Sequence, residues 1–176
     1  HEHGHLVDNV LGTIYDIPAS DNTFDAIFSR DMMGHVEDLD GALAECLRVL
    51  KPGGAVLIHD VVATPLLEPK ESARLCADLA QVPERLDSEL FEETVKRAGF
   101  DIEAIDRVAS EWLEDLLERE DGEKRLLWAA RLNRERDRFI QTMGVVPYRV
   151  VLGNTLWTIY RMIGKLEDRV YVLRAP

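Results

Sequence analysis

The sequence is poor in cysteine and in basic residues, and it contains no long hydrophobic run. Its 176 residues include 2 cysteines and carry 33 acidic against 21 basic side chains, a net charge of −12. Phosphate binding needs a basic face, so neither a nucleic acid nor an anionic membrane is expected as a partner. No apolar stretch is long enough to cross a bilayer, and none near the start resembles a signal peptide. The default expectation is a cytoplasmic protein that acts on a small or cationic molecule.

Few residues indicate a disulfide or a metal site. Cys46 and Cys76 both fall within helical patterns, so they are expected to be small buried side chains rather than disulfide partners. His1, His3 and His5 alternate at the start of the chain, a spacing that could place three imidazoles on one strand face for zinc or copper. A frayed chain end is the simpler interpretation of these histidines, and no metal is expected.

Strand and helix patterns alternate along the chain. Short apolar or alternating runs predict strands at 6–15, 24–29, 55–62, 100–108 and 169–173. Helical spacing predicts helices at 38–50, 68–81, 87–98, 111–119, 123–143 and 148–163, the first of them with Asp38 as its N-cap. This alternation favours an α/β layered fold with a largely parallel sheet. The late helices indicate an insertion before the last strand.

Three segments in a set order resemble one enzyme family. They are DIP at 16–18, FDAIFSRD at 24–31 with GHV at 34–36, and RVLKPGGAVLI at 48–58. In this order they are similar to the region behind the cofactor-binding half of class I S-adenosylmethionine-dependent methyltransferases that act on small molecules. Residues 91–100 and 171–174 are similar to the helix before that family's sixth strand and to its last strand.

The resemblance implies a fold and an activity. The fold is a Rossmann-like methyltransferase sheet, for which the family's strand order is 3-2-1-4-5-7-6. A partial α/β core is expected at 1–109 and 167–176, with a helical insertion or lid at 110–166. The implied activity is transfer of a methyl group from S-adenosyl-L-methionine to a small molecule, by an in-line displacement in which the enzyme aligns nucleophile and methyl group. A homodimer is left open.

The family's glycine-rich cofactor loop is missing from this sequence. The only glycines before Asp16 are Gly4 and Gly12. The chain is therefore expected to begin after the family's first two strands, which leaves the sheet incomplete on its N-terminal side and the strand at 6–15 without neighbours. A longer natural protein is the first interpretation. The alternative is a non-catalytic methyltransferase-like binding module that a partner chain completes.

Five residues are candidates for binding the cofactor. The resemblance implies that Asp16 accepts a hydrogen bond from the adenine amine and that Ile17 packs on the ring. Ser29, Arg30 and Asp31 follow a predicted strand at its carboxyl end, where open α/β sheets bind ligands, and in the family this stretch borders the methionine end of the cofactor. The alternatives are that Asp16 forms a turn before a proline and that Arg30 and Asp31 form a surface ion pair.

Two histidines are candidates for a general base. His35 follows the strand at 24–29, and His59 lies near the end of the strand at 55–62, beside Asp60. Imidazole is suited to taking a proton from a nucleophile near neutral pH. Adjacent strand residues point to opposite faces, so His59 and Asp60 are not expected to face one pocket together. A packing role is favoured for His35, so His59 is the preferred candidate for the base. The helical insertion contributes residues that either cover a substrate or form a core: Trp112, Trp128, Tyr148, Trp157, Tyr160 and Met162.

Overall fold

The structure, a computed structural model, describes residues 7–108 and 122–176. Four strands are described: β1 (Phe24–Arg30), β2 (Leu50–Ala63), β3 (Asp101–Val108) and β4 (Leu166–Arg174). Three helices connect the first three strands: α1 (Leu39–Val49), α2 (Pro69–Leu79) and α3 (Ser88–Arg97). Three more precede β4: α4 (Gly122–Arg134), α5 (Arg136–Met143) and α6 (Val145–Met162). Short 3-10 helices lie at Met33–His35 and Pro83–Leu86.

The four strands form one open sheet in the order β1-β2-β4-β3. This order equals the last four positions, 4-5-7-6, of the arrangement implied by the resemblance. β1 and β2 are parallel, but β4 runs antiparallel to both β2 and β3. The expectation of a largely parallel sheet is therefore wrong for the described strands. Apolar periodicity is the same for either strand direction, so the pattern could not reveal that the last strand inserts in reverse between β2 and β3.

The strand expected at 6–15 does not form in its described part, residues 7–15. The only pairing there is an isolated bridge between Thr13 and Asp16, and Leu11 is 98% exposed. A strand is stable only when a neighbour accepts its backbone hydrogen bonds, and no described strand lies beyond β1 at that edge. The prediction of a strand at 6–15 is therefore wrong, because the segment has no neighbouring strand to pair with.

Helix α1 confirms its sequence pattern. The Asp38 carboxylate caps it by accepting a hydrogen bond from the Gly41 amide at 2.9 Å. Its buried face packs with α3, β2 and β4 into the main core, which contains Leu39, Leu43, Cys46, Val56, Ile58, Phe91, Val95, Tyr171 and Leu173. Burial raises the pKa of the Cys46 thiol to about 11. Cys46 and Cys76 are both buried and unbonded to each other, as expected from the sequence.

The helices before β4 build a second layer over the end of the sheet. The predicted helix at 123–143 is two helices, α4 and α5, with a break at Glu135. α6 joins both of them in a small core around Leu132, Tyr148 and Leu152, and it also packs against α2. The predicted helix at 111–119 and Trp112 lie outside the described residues. Among those residues, no helix combines the length and apolar character that a membrane span requires.

The two faces of β1 differ in burial. Ile27 packs against the main core, whereas Phe28 is 66% exposed. Phe28 therefore lies on an uncovered face of the strand. That face is open because none of the described helices packs over it.

Candidate functional site

A cleft of about 490 Å³ opens where β1 and β2 end. Asp31 borders it just past β1, His35 lies on the 3-10 helix that follows, and Asp60 lies near the end of β2. The end of α2 and the loop behind it contribute Asp78, Leu79, Ala80 and Gln81, and α6 contributes Val150, Asn154, Trp157 and Arg161. We call this the carboxyl-end cleft. The carboxyl ends of parallel strands are the usual ligand site of open α/β sheets.

Asp31 ends β1 in an uncommon backbone conformation. Its φ angle is +52°, a left-handed value that few residues other than glycine adopt without cost. The Asp31 amide donates to the His59 carbonyl at 3.0 Å, which holds the turn against β2. Its carboxylate lies 3.3 Å from Arg30 Nε and 3.6 Å from His59 Nδ1. Strained residues of this kind concentrate at functional sites.

His35 is oriented by one hydrogen bond. Its Nδ1 lies 2.9 Å from the carbonyl oxygen of Ala80. A carbonyl can only accept, so Nδ1 carries the proton, and in the neutral ring Nε2 has the lone pair. The 3-10 helix is held in place by the Val82 amide, which donates to the Gly34 carbonyl at 2.9 Å. A Cβ on Gly34 would lie 2.7 Å from Gln81 Oε1, so a larger residue there would require the end of the Gln81 side chain to move.

Asp60 is a buried carboxylate within the cleft. The residue is 8% exposed, and burial raises its pKa to about 6, against the opposing effect of a hydrogen bond from the Val61 amide. Among the described residues, no basic side chain forms an ion pair with it. An ionised carboxylate without a counter-charge is costly to bury.

His59 pairs with Asp168 and not with Asp60. Its Nε2 lies 3.0 Å from Asp168 Oδ1, and its side chain is 15% exposed. Arg161 donates to the same carboxylate through Nε at 2.8 Å and through an Nη nitrogen at 2.6 Å. We call this the Arg161–Asp168–His59 chain. It ties α6 and β4 to β2, whereas Asp60 faces the cleft.

Two buried polar atoms beside the cleft lack a hydrogen-bond partner among the described residues. They are Ser29 Oγ and His59 Nδ1. Ser29 is buried on β1, while Arg30 is exposed at the strand's end. The structure therefore places Asp31 and His35 in the cleft, and Ser29, Arg30 and His59 beside it.

A clamp on α1 holds the backbone at Ile17. Glu45 Oε1 accepts from the Ile17 amide at 2.8 Å, and Arg48 donates to the carbonyl oxygens of Ile17 and Ala19 at 3.0 and 2.8 Å. Arg48 also lowers the pKa of Glu45 to about 2. Asp16 is exposed in the preceding turn, and its carboxylate makes no hydrogen bond to the described residues. Asp16 and Ile17 are therefore outside the cleft, on a segment whose backbone is held in one position.

Sequence reasoning missed the wall that α6 gives to the cleft. Val150, Asn154, Trp157 and Arg161 follow one another at intervals of four, three and four residues, the spacing of a single helix face. That signal was present in the sequence, but only the fold shows what the face opposes. Of the other aromatic residues, Tyr148 is buried in the core of the insertion, and Trp128 packs edge-on against Phe139.

No metal centre is evident in the part of the chain that the structure describes. Among the described residues, no three or more His, Cys, Asp or Glu side chains are grouped so that they could hold a metal ion. His1, His3 and His5 lie outside the described residues, so the metal-binding alternative for them stays a prediction.

Comparison with known proteins shows a consistent relationship. A family described as "Methyltransferase domain" matches residues 1–58. A phosphoethanolamine N-methyltransferase of Triticum aestivum is 33% identical over 130 residues, which cover 73% of this chain and 23% of that protein. A sterol 24-C-methyltransferase of Yarrowia lipolytica is 28% identical over 113 residues, covering 61% of this chain and 30% of that protein. The chain thus spans less than a third of the length of these curated relatives.

Solved structures with the same fold cover almost the whole chain. A putative sarcosine dimethylglycine methyltransferase from Galdieria sulphuraria superposes with a TM-score of 0.59 at 20% identity, covering 93% of this chain and 57% of that one. The [4+2]-cyclase SpnF superposes with a TM-score of 0.65 at 22% identity, covering 98% and 57%. These likenesses establish the fold. The matching family, the curated relatives and the shared fold support a class I S-adenosylmethionine-dependent methyltransferase.

Proposed function

We propose that the protein transfers a methyl group from S-adenosyl-L-methionine to a small molecule, and that the carboxyl-end cleft holds the acceptor. The observation that carries this proposal is the position of His35, at the carboxyl end of a parallel strand pair with Nδ1 bound to Ala80. This arrangement leaves Nε2 as the basic atom. Several solved relatives are described with S-adenosylmethionine or S-adenosylhomocysteine bound, which supports the choice of donor.

The cofactor would lie between the held segment at Ile17 and the turn at Asp31. Asp16 presents an exposed carboxylate that would accept a hydrogen bond from the adenine amine. Ile17 presents an apolar side chain that would pack on the adenine ring. The backbone between Ile17 and Ala19 is clamped by Glu45 and Arg48, so these contacts would be pre-positioned. When bound, the sulfonium of the cofactor supplies the electrophilic methyl group.

His35 would act as the general base, and His59, the candidate that the sequence favoured, as a positioning residue. Both nitrogens of His59 face carboxylates, since Nε2 bonds Asp168 and Nδ1 points toward Asp31. His59 would therefore hold Asp31 and the end of β1 in place rather than exchange protons with the acceptor.

The helices at 122–162 would serve as a lid, because α6 forms one wall of the cleft. The two buried thiols suit a reducing compartment, so we place the protein in the cytoplasm. A homodimer stays a prediction.

Calorimetric titration with S-adenosylhomocysteine tests the proposal on the protein as its gene encodes it. Micromolar or tighter binding, together with methyl transfer to an acceptor, is the expected result. Absence of binding would overturn the enzyme proposal and favour the second candidate, a non-catalytic binding module. A [4+2]-cyclase has the same fold, so the fold alone does not dictate methyl transfer, and binding has to be measured.

The variant His35→Asn separates base catalysis from packing. Asparagine retains an N–H donor for the Ala80 carbonyl but has no basic nitrogen. We expect kcat to fall by roughly 10²-fold or more, since general bases contribute about 10²–10⁴-fold, with an unchanged dissociation constant for S-adenosylhomocysteine. A variant with the wild-type kcat would show that His35 is a packing residue.

The variant Arg48→Ala tests the clamp. Removing the guanidinium deletes the hydrogen bonds to Ile17 and Ala19, so residues 16–21 should become mobile and bind the cofactor more weakly. We expect the affinity for S-adenosylhomocysteine to fall about tenfold, the cost of losing roughly 1.4 kcal/mol of pre-organisation. The control is Arg97→Ala on α3, which removes an exposed ion pair with Asp40 on α1, the helix that carries Arg48. This variant should leave the affinity for S-adenosylhomocysteine unchanged. Equal affinities in the two variants would contradict a role for the clamp.

A further inference from the structure

We propose that the carboxyl-end cleft selects an organic cation, the ammonium group of an amine acceptor, with Asp60 as its counter-charge and Trp157 as its aromatic wall. This inference rests on the proposed function, because it names the acceptor class for the same cleft.

The first argument is the distribution of charge inside the cleft. Two of its three carboxylates already have cationic partners: Asp78 pairs with Arg149 at 2.6 Å, and Asp31 contacts Arg30 at 3.3 Å. Arg161, the guanidinium that lines the cleft, is bound to Asp168. Asp60 lines the cleft with the other two, and it alone among the three has no ion pair with a described residue. A ligand ammonium would supply the missing charge.

The second argument is that Asp60 is retained at a cost. Burial disfavours its ionised form and raises its pKa to about 6, so the carboxylate is charged near neutral pH with backbone hydrogen bonds but with no ion pair to a described residue. Groups that destabilise a fold in this way are concentrated at binding and catalytic sites. A cation in the cleft would recover the lost interaction energy on binding.

The third argument is the aromatic wall. Trp157 lies on the face of α6 that lines the cleft, one turn from Asn154 and Arg161. Indole is the strongest of the side-chain π-systems for binding a cation. Beside this indole the cleft presents three carboxylates, a histidine, an arginine, an asparagine and a glutamine, polar groups that a sterol or another neutral apolar acceptor would bury without partners.

His35 completes the chemistry that an amine requires. An ammonium has no lone pair, so it must first lose a proton, which His35 Nε2 would take. The amine nitrogen then attacks the methyl carbon of the sulfonium donor, forming the N–C bond. The C–S bond breaks with its electrons going to sulfur, which yields S-adenosylhomocysteine and a methylated ammonium product. Asp60 would balance the positive charge of both acceptor and product.

Titration with choline and with its neutral isostere 3,3-dimethylbutan-1-ol tests this inference without any turnover. We expect the wild-type protein to bind choline at least about tenfold more tightly than the alcohol, the effect of one desolvated charge pair. Asp60→Asn should lose about tenfold in choline affinity and leave the alcohol unaffected. Trp157→Leu should weaken choline binding by roughly threefold or more. Asp106→Asn, the same change at an exposed position on β3, is the matched control and should bind choline as the wild type does.

Two results would overturn the inference: equal binding of choline and the alcohol, or wild-type affinity for choline in Asp60→Asn. The sulfonium of the cofactor is a second source of the same charge, so the variants are also titrated with S-adenosylmethionine and S-adenosylhomocysteine. Asp60→Asn should leave the ratio of those two affinities unchanged, and a changed ratio with unchanged choline binding would assign Asp60 to the cofactor. Normal S-adenosylhomocysteine binding with no choline selectivity would remove the inference and leave the proposed function standing.

Discussion

Replacing Asp168 with alanine is expected to destabilise the protein by about 3–5 kcal/mol, the usual cost of breaking a buried ion pair from one side. The Asp168 side chain is 4% exposed and accepts from both Arg161 and His59. Its removal would take a buried carboxylate away from the Arg161 guanidinium, itself 15% exposed, and from the His59 ring, in the layer between α6 and the sheet. Urea denaturation followed by circular dichroism measures the free energy of unfolding.

An exposed ion pair on the same sheet provides the control. Glu103 pairs with Arg174 across β3 and β4, with side chains 52% and 43% exposed. Glu103→Ala should cost less than about 1 kcal/mol, because water screens such pairs. The double variant Arg161→Met with Asp168→Leu should recover much of the loss, since a packed apolar pair replaces a buried ionic one at little cost. If Asp168→Ala lowers the free energy of unfolding by less than about 1 kcal/mol, the Arg161–Asp168–His59 chain does not stabilise the fold as a buried ion pair would.

Replacing Asp60 with asparagine is expected to raise stability at pH 8. The folded-state pKa of Asp60 is raised from its ordinary 3.8 to about 6 because the carboxyl group is buried. Between these two values the folded protein binds a proton that the unfolded chain has released, so stability falls as pH rises and the full penalty applies above pH 6. That penalty is on the order of 3 kcal/mol. Asparagine fills the same space, does not ionise and still accepts from the Val61 amide.

The stability difference between Asp60→Asn and the wild type should therefore shrink as pH is lowered from 8 to 4. Thermal unfolding over this range measures it, with Asp106→Asn as the matched control that should follow the wild-type curve. Other charged groups face Asp60 from each packed element, namely Asp31, His35, Asp78 and Arg161, and all are unchanged in the variant. A constant difference across the pH range would contradict the burial of an ionisable Asp60.

Local sequence patterns predict much of the fold. Helix α1 begins at the expected cap, Asp38, and buries the expected face, because helical periodicity and capping are decided within a few residues. The strand expected at 6–15 was wrong because a strand depends on a partner that the apolar pattern does not encode. The direction of β4 was wrong for a similar reason, since alternation is the same for parallel and antiparallel neighbours.

The candidate site depended more on long-range pairing. The sequence pointed to Asp31 and His35, which the fold brings to one cleft, because the carboxyl end of a strand can be located from its pattern. It offered Asp60 as the neighbour of His59, whereas the actual partner, Asp168, comes from β4. The wall formed by Trp157 depends on the packing of α6 against α2 and β4, which brings its face to the cleft at the ends of β1 and β2. These contacts join residues that are distant in sequence, so no local pattern could reveal them.

Hydrogen–deuterium exchange with and without S-adenosylhomocysteine, on the protein as its gene encodes it, tests most directly whether these strand ends form the active site. The predicted result is slower exchange of backbone amides at 13–19 and 29–36, the two segments that would border the cofactor, with unchanged exchange in β3 (Asp101–Val108). Protection confined to β3 and its neighbours, or no protection at either segment, would contradict the assignment of the cofactor site to the carboxyl ends of β1 and β2.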